Sequence, residues 1–226
     1  MRTTRITENL IQINRLHFVN AYLVREPDGF TLVDTTLGGA ADGLIAAARD
    51  AGGEIRRIAL THGHGDHVGS LDALRGQLGD GVEVLMGEQD AGVLAGEPVL
   101  DGKPRGSWPK VTTIPDTRLR GGEQIGSIEV VPCPGHTLGH VAFLDTRDRT
   151  LLAGDTFTTY GRTEIPNHML QRFPLATMGT QDRRQIVESA RTLRALDPAV
   201  LVCGHGPAVR APGDSMDAAI ARAGGH

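Results

Sequence analysis

Within six residues, His62-Gly63-His64-Gly65-Asp66-His67, this chain carries three imidazoles and one carboxylate. The segment follows Ile55–Leu60, an apolar-rich run that reads as a strand delivering the histidine-rich loop. The plain alternative is a solvated histidine-rich loop. Four donors packed so tightly favour metal binding instead. On a locally extended loop His62 and His64 point the same way, while Asp66 and His67 turn toward a second centre. The segment can therefore hold two metal ions close together. Imidazole and carboxylate donors without thiolate suit zinc best, and iron and manganese are also compatible.

Three later segments supply further donors. They are His136 in Pro132-Cys133-Pro134-Gly135-His136, Asp155 in Leu151-Leu152-Ala153-Gly154-Asp155, and His205 in Val200-Leu201-Val202-Cys203-Gly204-His205. Each follows a short apolar run and a glycine. Such a run reads as a buried strand, and the glycine lets the chain turn at its end. An isolated His136 would be read as a packed loop histidine. Together with the first cluster, the three form a set of donors presented at strand ends.

A chain of 226 residues suits one large domain over 1–226. Hydrophobic residues make up 39%, enough for a core, and aromatic residues only 4%, so aliphatic side chains must fill it. The net charge of −4 and the lack of a basic run argue against nucleic acid. No segment reaches the ~18 apolar residues of a membrane span. No apolar stretch follows Met1-Arg2-Thr3-Thr4-Arg5, so no secretory signal is expected and the cytoplasm is the expected compartment. The expected partner is a small-molecule substrate, and a homodimer is compatible with the sequence. Cys133 and Cys203 read as small buried residues near strand ends, with no disulfide expected in a reducing compartment.

Residues 10–16, 19–25 and 29–34 read as strands, the last two joined by the turn Glu26-Pro27-Asp28-Gly29. The alanine-rich stretch 39–51 reads as a helix stopped by Gly52-Gly53. A short helix is expected over 70–78 with Ser70 as its cap, and strands over 82–86 and near 126–132, 139–145 and 149–153. Ile186, Ala190, Leu193 and Leu196 share one face of a helix over 181–196, with Thr180 as its cap and Asp182 in its first turn. A last helix is expected over 214–223. Two stretches are expected to shape a pocket. One is 87–116, which holds Trp108 and whose Pro/Gly-rich middle, 96–109, reads as a long loop; the other is 156–174, where Tyr160 could hydrogen-bond a developing oxyanion. His17 and His140 are assigned to structure, His168 to its loop, and terminal His226 is expected to be disordered.

The series Thr-His-x-His-x-Asp-His with Gly69 after it, then Pro-Gly-His-Thr-x-Gly-His, Gly-Asp-Thr and Gly-His-Gly, resembles the metallo-β-lactamase fold superfamily of hydrolases over nearly the whole chain. The resemblance implies an α/β fold, a four-layer αββα sandwich. It also implies that His62, His64 and His136 hold one metal, that Asp66, His67 and His205 hold the other, and that Asp155 bridges them. The cofactors would be two divalent ions, Zn2+ first and Fe or Mn next. A hydroxide bridging them would attack a carbonyl carbon, and Asp66 could orient it and pass a proton to the leaving group.

Departures from individual branches narrow the substrate. The acid at position 155 disfavours β-lactam hydrolysis. The histidine at position 64, where flavodiiron oxygen reductases carry glutamate, and the absence of a flavin domain disfavour that branch; nuclease branches carry inserted domains. Gly154-Asp155-Thr156-Phe157 with Gly161-Arg162 resembles glyoxalase II thioesterases, whose glutathione-binding C-terminal region has no counterpart here. Quorum-quenching lactonases share the seven ligands, although their tyrosine lies nearer the bridging aspartate. A lactone such as an acyl-homoserine lactone ranks first because 156–174 is fairly apolar, with a glyoxalase II-type thioester next. A mononuclear iron persulfide dioxygenase is the redox alternative, and the complete second site at Asp66 and His67 argues against it.

Overall fold

The computed structural model describes residues 1–98 and 103–224. In it, strand alternation decides the layering. Along Val19–Glu26, Ala21 and Leu23 face one apolar cluster while Tyr22 and Val24 face another. A strand buried on both faces needs cover on both sides.

The first sheet runs in the order β1 (Arg2–Arg5), β2 (Leu10–Arg15), β3 (Val19–Glu26), β4 (Gly29–Val33), β5 (Ile55–Leu60), β6 (Glu83–Gly87) and β7 (Thr117–Leu119). β1 to β4 form an antiparallel meander. β4 to β7 are parallel. Their crossovers carry α1 (Ala41–Asp50), α2 (Gly65–Val68), α3 (Leu71–Leu78) and α4 (Glu88–Leu94). The second sheet contains β8 (Gln124–Ile125), β9 (Ile128–Pro132), β10 (Val141–Asp145), β11 (Thr150–Leu152), β12 (Val200–Val202) and β13 (Val209–Arg210), in reverse order across the sheet. Between β11 and β12 lie α5 (Pro174–Gly179) and α6 (Gln185–Ala195), and α7 (Gly213–Ala223) follows β13.

Three apolar clusters hold four layers together. Leu44, Ala48, Leu71 and Leu74 of α1 and α3 cover Leu23, Ile58 and Leu60. Ile186, Ala190 and Leu193 of α6, with Met216 and Ala219 of α7, cover Ala142, Leu144 and Leu201. Between the sheets, Tyr22, Val24, Val33 and Ala59 meet Val130, Phe143, Leu152 and Val202. This is the αββα sandwich. Burying each large apolar side chain contributes about 1.5–3 kcal/mol, so the aliphatic residues carry most of the core.

Several local readings are corrected. Ser70 precedes α3 but makes no cap; its hydroxyl donates to the Leu37 carbonyl and accepts from Ala40 N–H, tying α3 to the chain entering α1. Thr180 does not cap α6 either. Its hydroxyl is engaged by the Ala176 carbonyl and His136 Nδ1, and Asp182 Oδ1 accepts from Arg184 and Gln185 N–H at 2.9 Å each. α4 occupies the start of the 87–116 stretch, ahead of the loop expected over 96–109, of which residues 99–102 lie outside the described residues; α5 opens at Pro174, where the second stretch ends. Both cysteines are buried and free. No helix among the described residues is long and apolar enough to cross a membrane. His226 lies outside the described residues.

Candidate metal centre

The donors gather where β5, β9, β11 and β12 end. Val141 N–H donates to the Thr61 carbonyl and Asn20 N–H to the Gly204 carbonyl, both at 2.9 Å, so the two sheets are pinned together at this edge. His62 and His64 follow β5 directly. His64 is extended, and the chain then makes the single helical turn α2, not the extended loop expected from the sequence. That turn carries Asp66 toward His205 and leaves the His67 ring against that of His62, with the centroids 3.9 Å apart.

Three groups of donor atoms result: His62–His64–His136, His62–His67–Asp155 and Asp66–His67–His205, each with its donors within 4.8 Å of one another. His64 Nδ1 lies 3.1 Å from His136 Nε2. Asp155 faces both sides. Its Oδ1 is 3.5 Å from His67 Nε2, and its Oδ2 is 3.5 Å from His136 Nε2 and 3.2 Å from His205 Nε2. Asp66 Oδ2 is 3.3 Å from His205 Nε2. Donors about 2.0 Å from a common tetrahedral centre lie about 3.3 Å apart, so these spacings fit metal ligation. A second observation agrees. His62 Nε2, His67 Nε2 and Asp155 Oδ1 are buried without a hydrogen-bond partner, which is costly unless something satisfies them. Backbone space is reserved for the carboxylate as well: a Cβ on Gly204 would lie 2.3 Å from Asp155 Oδ1.

The far nitrogen of each imidazole shows how the ring is aimed. His67 Nδ1 donates to Asp34 (2.8 Å), His205 Nδ1 to the Phe18 carbonyl (2.8 Å) and His64 Nε2 to the Arg105 carbonyl (3.0 Å). Thr61 Oγ1 gives its proton to Asp34, so it accepts from His62 Nδ1 at 3.1 Å. Thr180 Oγ1 gives its proton to the Ala176 carbonyl, so it accepts from His136 Nδ1 at 3.1 Å. Four histidines thus turn Nε2 toward the centre, and His64 turns Nδ1.

Electrostatics divide the two sides. Burial, reinforced by neighbouring imidazoles, holds His62 well below its usual range; burial also lowers His64 and His136. Burial would lower His67 too, but Asp34, Asp155 and Asp66 raise it to about 9. Burial is likewise outweighed at His205, which Asp155 and Asp66 carry to about 10. Asp66 and Asp155 stay ionised against burial because His67 and His205 face them.

Sequence reasoning missed three supports. Asp34 sits in a left-handed conformation (φ 63°) after β4 and also accepts Thr61 N–H at 2.8 Å. An aspartate following an apolar strand is the same signal that marks Asp155. Fully buried Asp90 on α4 accepts from Gly63 N–H (2.9 Å), Thr137 Oγ1 (2.6 Å) and Gly139 N–H (2.7 Å), joining the two histidine loops; burial nevertheless raises it to about 6. His140, assigned only to structure, accepts Asp155 N–H at 2.9 Å. Burial lowers it to about 3, which keeps that nitrogen an acceptor.

His64, Asp66, His136, Asp155 and His205 line one side of a cavity of about 790 Å³. Phe18, Leu37, Phe173, Leu175 and Met178 give it an apolar side, and Gly106, Ser107 and Pro109 close another. Trp108 is not on its surface; its ring packs 5.4 Å from that of His64. Tyr160 is not brought here. It lines separate cavities with Arg162 and with His17, half-exposed, and the Phe173 ring stands between it and His205. The reason is the bridge between Thr158 and Glu164, which turns the intervening residues outward.

A family profile described as Metallo-beta-lactamase superfamily matches residues 14–205, and the chain belongs to that superfamily. It is 40% identical over 211 residues to the uncharacterized protein YobT of Bacillus subtilis (strain 168), covering 91% of this chain and 90% of that one. It is 30% identical over 189 residues to a hydroxyacylglutathione hydrolase of Rhodopseudomonas palustris (strain HaA2), covering 81% of this chain and 61% of that one. Among solved structures, TTHA1623 in a di-iron-bound form matches with a TM-score of 0.66 and 27% identity over 90% of this chain and 94% of that one. The chain is therefore a metallo-hydrolase-type protein with a His/Asp metal-binding cluster.

Proposed function

We propose that this protein is a dinuclear metal-dependent hydrolase of ester-type bonds in neutral, apolar acyl substrates, with a lactone as the leading class. The observation that carries this reading is the cavity: ligand carboxylates and imidazoles along one side, apolar side chains along another, and no lysine or arginine among its described lining residues. A glutathione conjugate brings two carboxylates and would want cations there. Divalent cations held by the seven donors supply Lewis acidity toward a carbonyl and acidify water, so that hydroxide is available near neutral pH. Zinc suits the donor set best, and the di-iron TTHA1623 keeps iron in view. Asp66 is the most open of the donors, with 29% of its side chain exposed. It can orient the attacking water and return its proton to the departing oxygen. Phe18, Phe173, Leu175 and Met178 hold the acyl part and exclude bulk water.

A second reading, a thioesterase of the glyoxalase II type, is favoured by the relatives named hydroxyacylglutathione hydrolase, about 28–32% identical. The complete Asp66–His67–His205 group speaks against a mononuclear iron dioxygenase. Proton release by the zinc-loaded protein would be followed with a long-chain acyl-homoserine lactone and with S-lactoylglutathione, using His64→Ala as the blank. Faster lactone turnover supports the proposal, faster thioester turnover moves the assignment to the second reading, and turnover of neither sinks both.

A further inference from the structure

The His64 imidazole is oriented by a main-chain carbonyl from a loop that is mostly exposed. That carbonyl, Arg105 C=O, also accepts from Trp108 Nε1 at 2.7 Å. The loop is anchored beside His64 by Gly65 N–H donating to Ser107 C=O at 2.8 Å. On its other side Arg105 N–H donates to Gln181 Oε1 at 2.8 Å, and Gln181 N–H donates to the His136 carbonyl at 2.9 Å. One glutamine therefore links the main chain of one imidazole ligand to the group that aims another, and the two ligating nitrogens lie 3.1 Å apart. Gly106 fits this arrangement. Its φ is +81°, and a Cβ there would lie 2.4 Å from His64 Nε2, so the loop rests directly on the ring.

We propose that Gln181 is a positioning residue for the His62–His64–His136 group, acting through the Arg105 carbonyl on His64. The inference rests on the metal-centre reading above. Without the Gln181 amide oxygen, Arg105 N–H loses its acceptor, loop 103–109 loosens, and the His64 ring loses the partner that keeps Nδ1 turned inward. The Asp66–His67–His205 group does not depend on this link, because Asp34 and the Phe18 carbonyl aim its imidazoles. The effect is therefore confined to one of two neighbouring sites. Partners of this kind change metal affinity by about 10–100-fold.

The test is cobalt(II) titration of the metal-free protein, read by visible absorption. Circular dichroism confirms the fold of each variant. Wild type is expected to bind two ions. Gln181→Ala should weaken one binding event about 10–100-fold and alter its absorption band while the other event is unchanged. Gln181→Glu retains an acceptor oxygen and should restore wild-type behaviour. Gly106→Ala, with Gln181 intact, should reproduce the selective loss by pushing the loop off His64, and it reads the same link if Gln181→Ala does not fold. A wild type that binds fewer than two ions overturns the dinuclear reading itself. A wild type that binds two, with Gln181→Ala unchanged, weakened at both sites alike, or not rescued by Gln181→Glu, overturns the role of Gln181 alone.

Discussion

Loading the metal-free protein with zinc should release protons from the ligands of one half of the centre and not from those of the other. His67 at about 9 and His205 at about 10 carry protons at pH 7 in the absence of metal, because Asp155, Asp66 and, for His67, Asp34 outweigh the cost of burying the charge. His62, His64 and His136 are shifted down by burial and are neutral at the same pH. A zinc ion entering the Asp66–His67–His205 group must displace about two protons from its ligands, and one entering the three-histidine group about none; the proton of the acidified water adds to whichever event completes the pair. Each displaced proton makes affinity rise about tenfold per pH unit. From its imidazoles the first group should then gain about 100-fold from pH 7 to 8 and level off as pH passes the two raised values, while the ligands of the second add no such slope. Because both folded-state values are raised, the stability these protons contribute is fully present below about 6.5, the ordinary histidine value, and is lost as pH rises through 9 to 10. Calorimetric titration in two buffers of different ionisation enthalpy reads the proton count for each event. Equal release from both events, or none from either, would refute the charge asymmetry.

Asp155→Ala should abolish turnover and reduce bound metal below two ions per chain with the helical signal retained, since Asp155 faces His67, His136 and His205 at once; a folded, metal-poor Asp155→Ala protein with full activity would end the dinuclear mechanism. Asp34→Ala removes the acceptor of His67 Nδ1 and of Thr61 N–H. Competition with a chelator should show about 10–100-fold weaker binding at the Asp66 side, and unchanged affinity would show that His67 needs no such support. Asp90→Asn must turn an amide NH2 toward one of three donors and should lower stability in urea by about 1–3 kcal/mol. The wild type should also gain about 1 kcal/mol on going from pH 7 to 5 as the raised Asp90 protonates in the folded state, a gain the variant lacks; equal pH slopes for the two proteins would contradict this.

The sequence exposes the seven donors because each announces itself twice, by its own chemistry and by an apolar run with a turn at the end of it. The same alternation exposes the strands and, with helical spacing on α6, most of the layers. Orientation is less legible. His64 and His205 are aimed by the carbonyls of Arg105 and Phe18, and a carbonyl is common to every residue type, so nothing in those side chains reveals the task. Tyr160 fails for a related reason: five positions after Asp155, it is close in the chain but turned away by a backbone bridge between Thr158 and Glu164 that depends on pairing. Asp34 and Asp90 were within reach. Asp34 directly follows the apolar run of β4 and Asp90 precedes an apolar stretch of α4, and a carboxylate buried in such a place must find donors or give up its charge. Asp34 finds its partners at Thr61 and His67 on the loop after the adjacent parallel strand; Asp90 finds donors on both histidine loops. The donors of such a centre are thus written locally, while the precision with which they converge is set by contacts that only the folded sheets bring together.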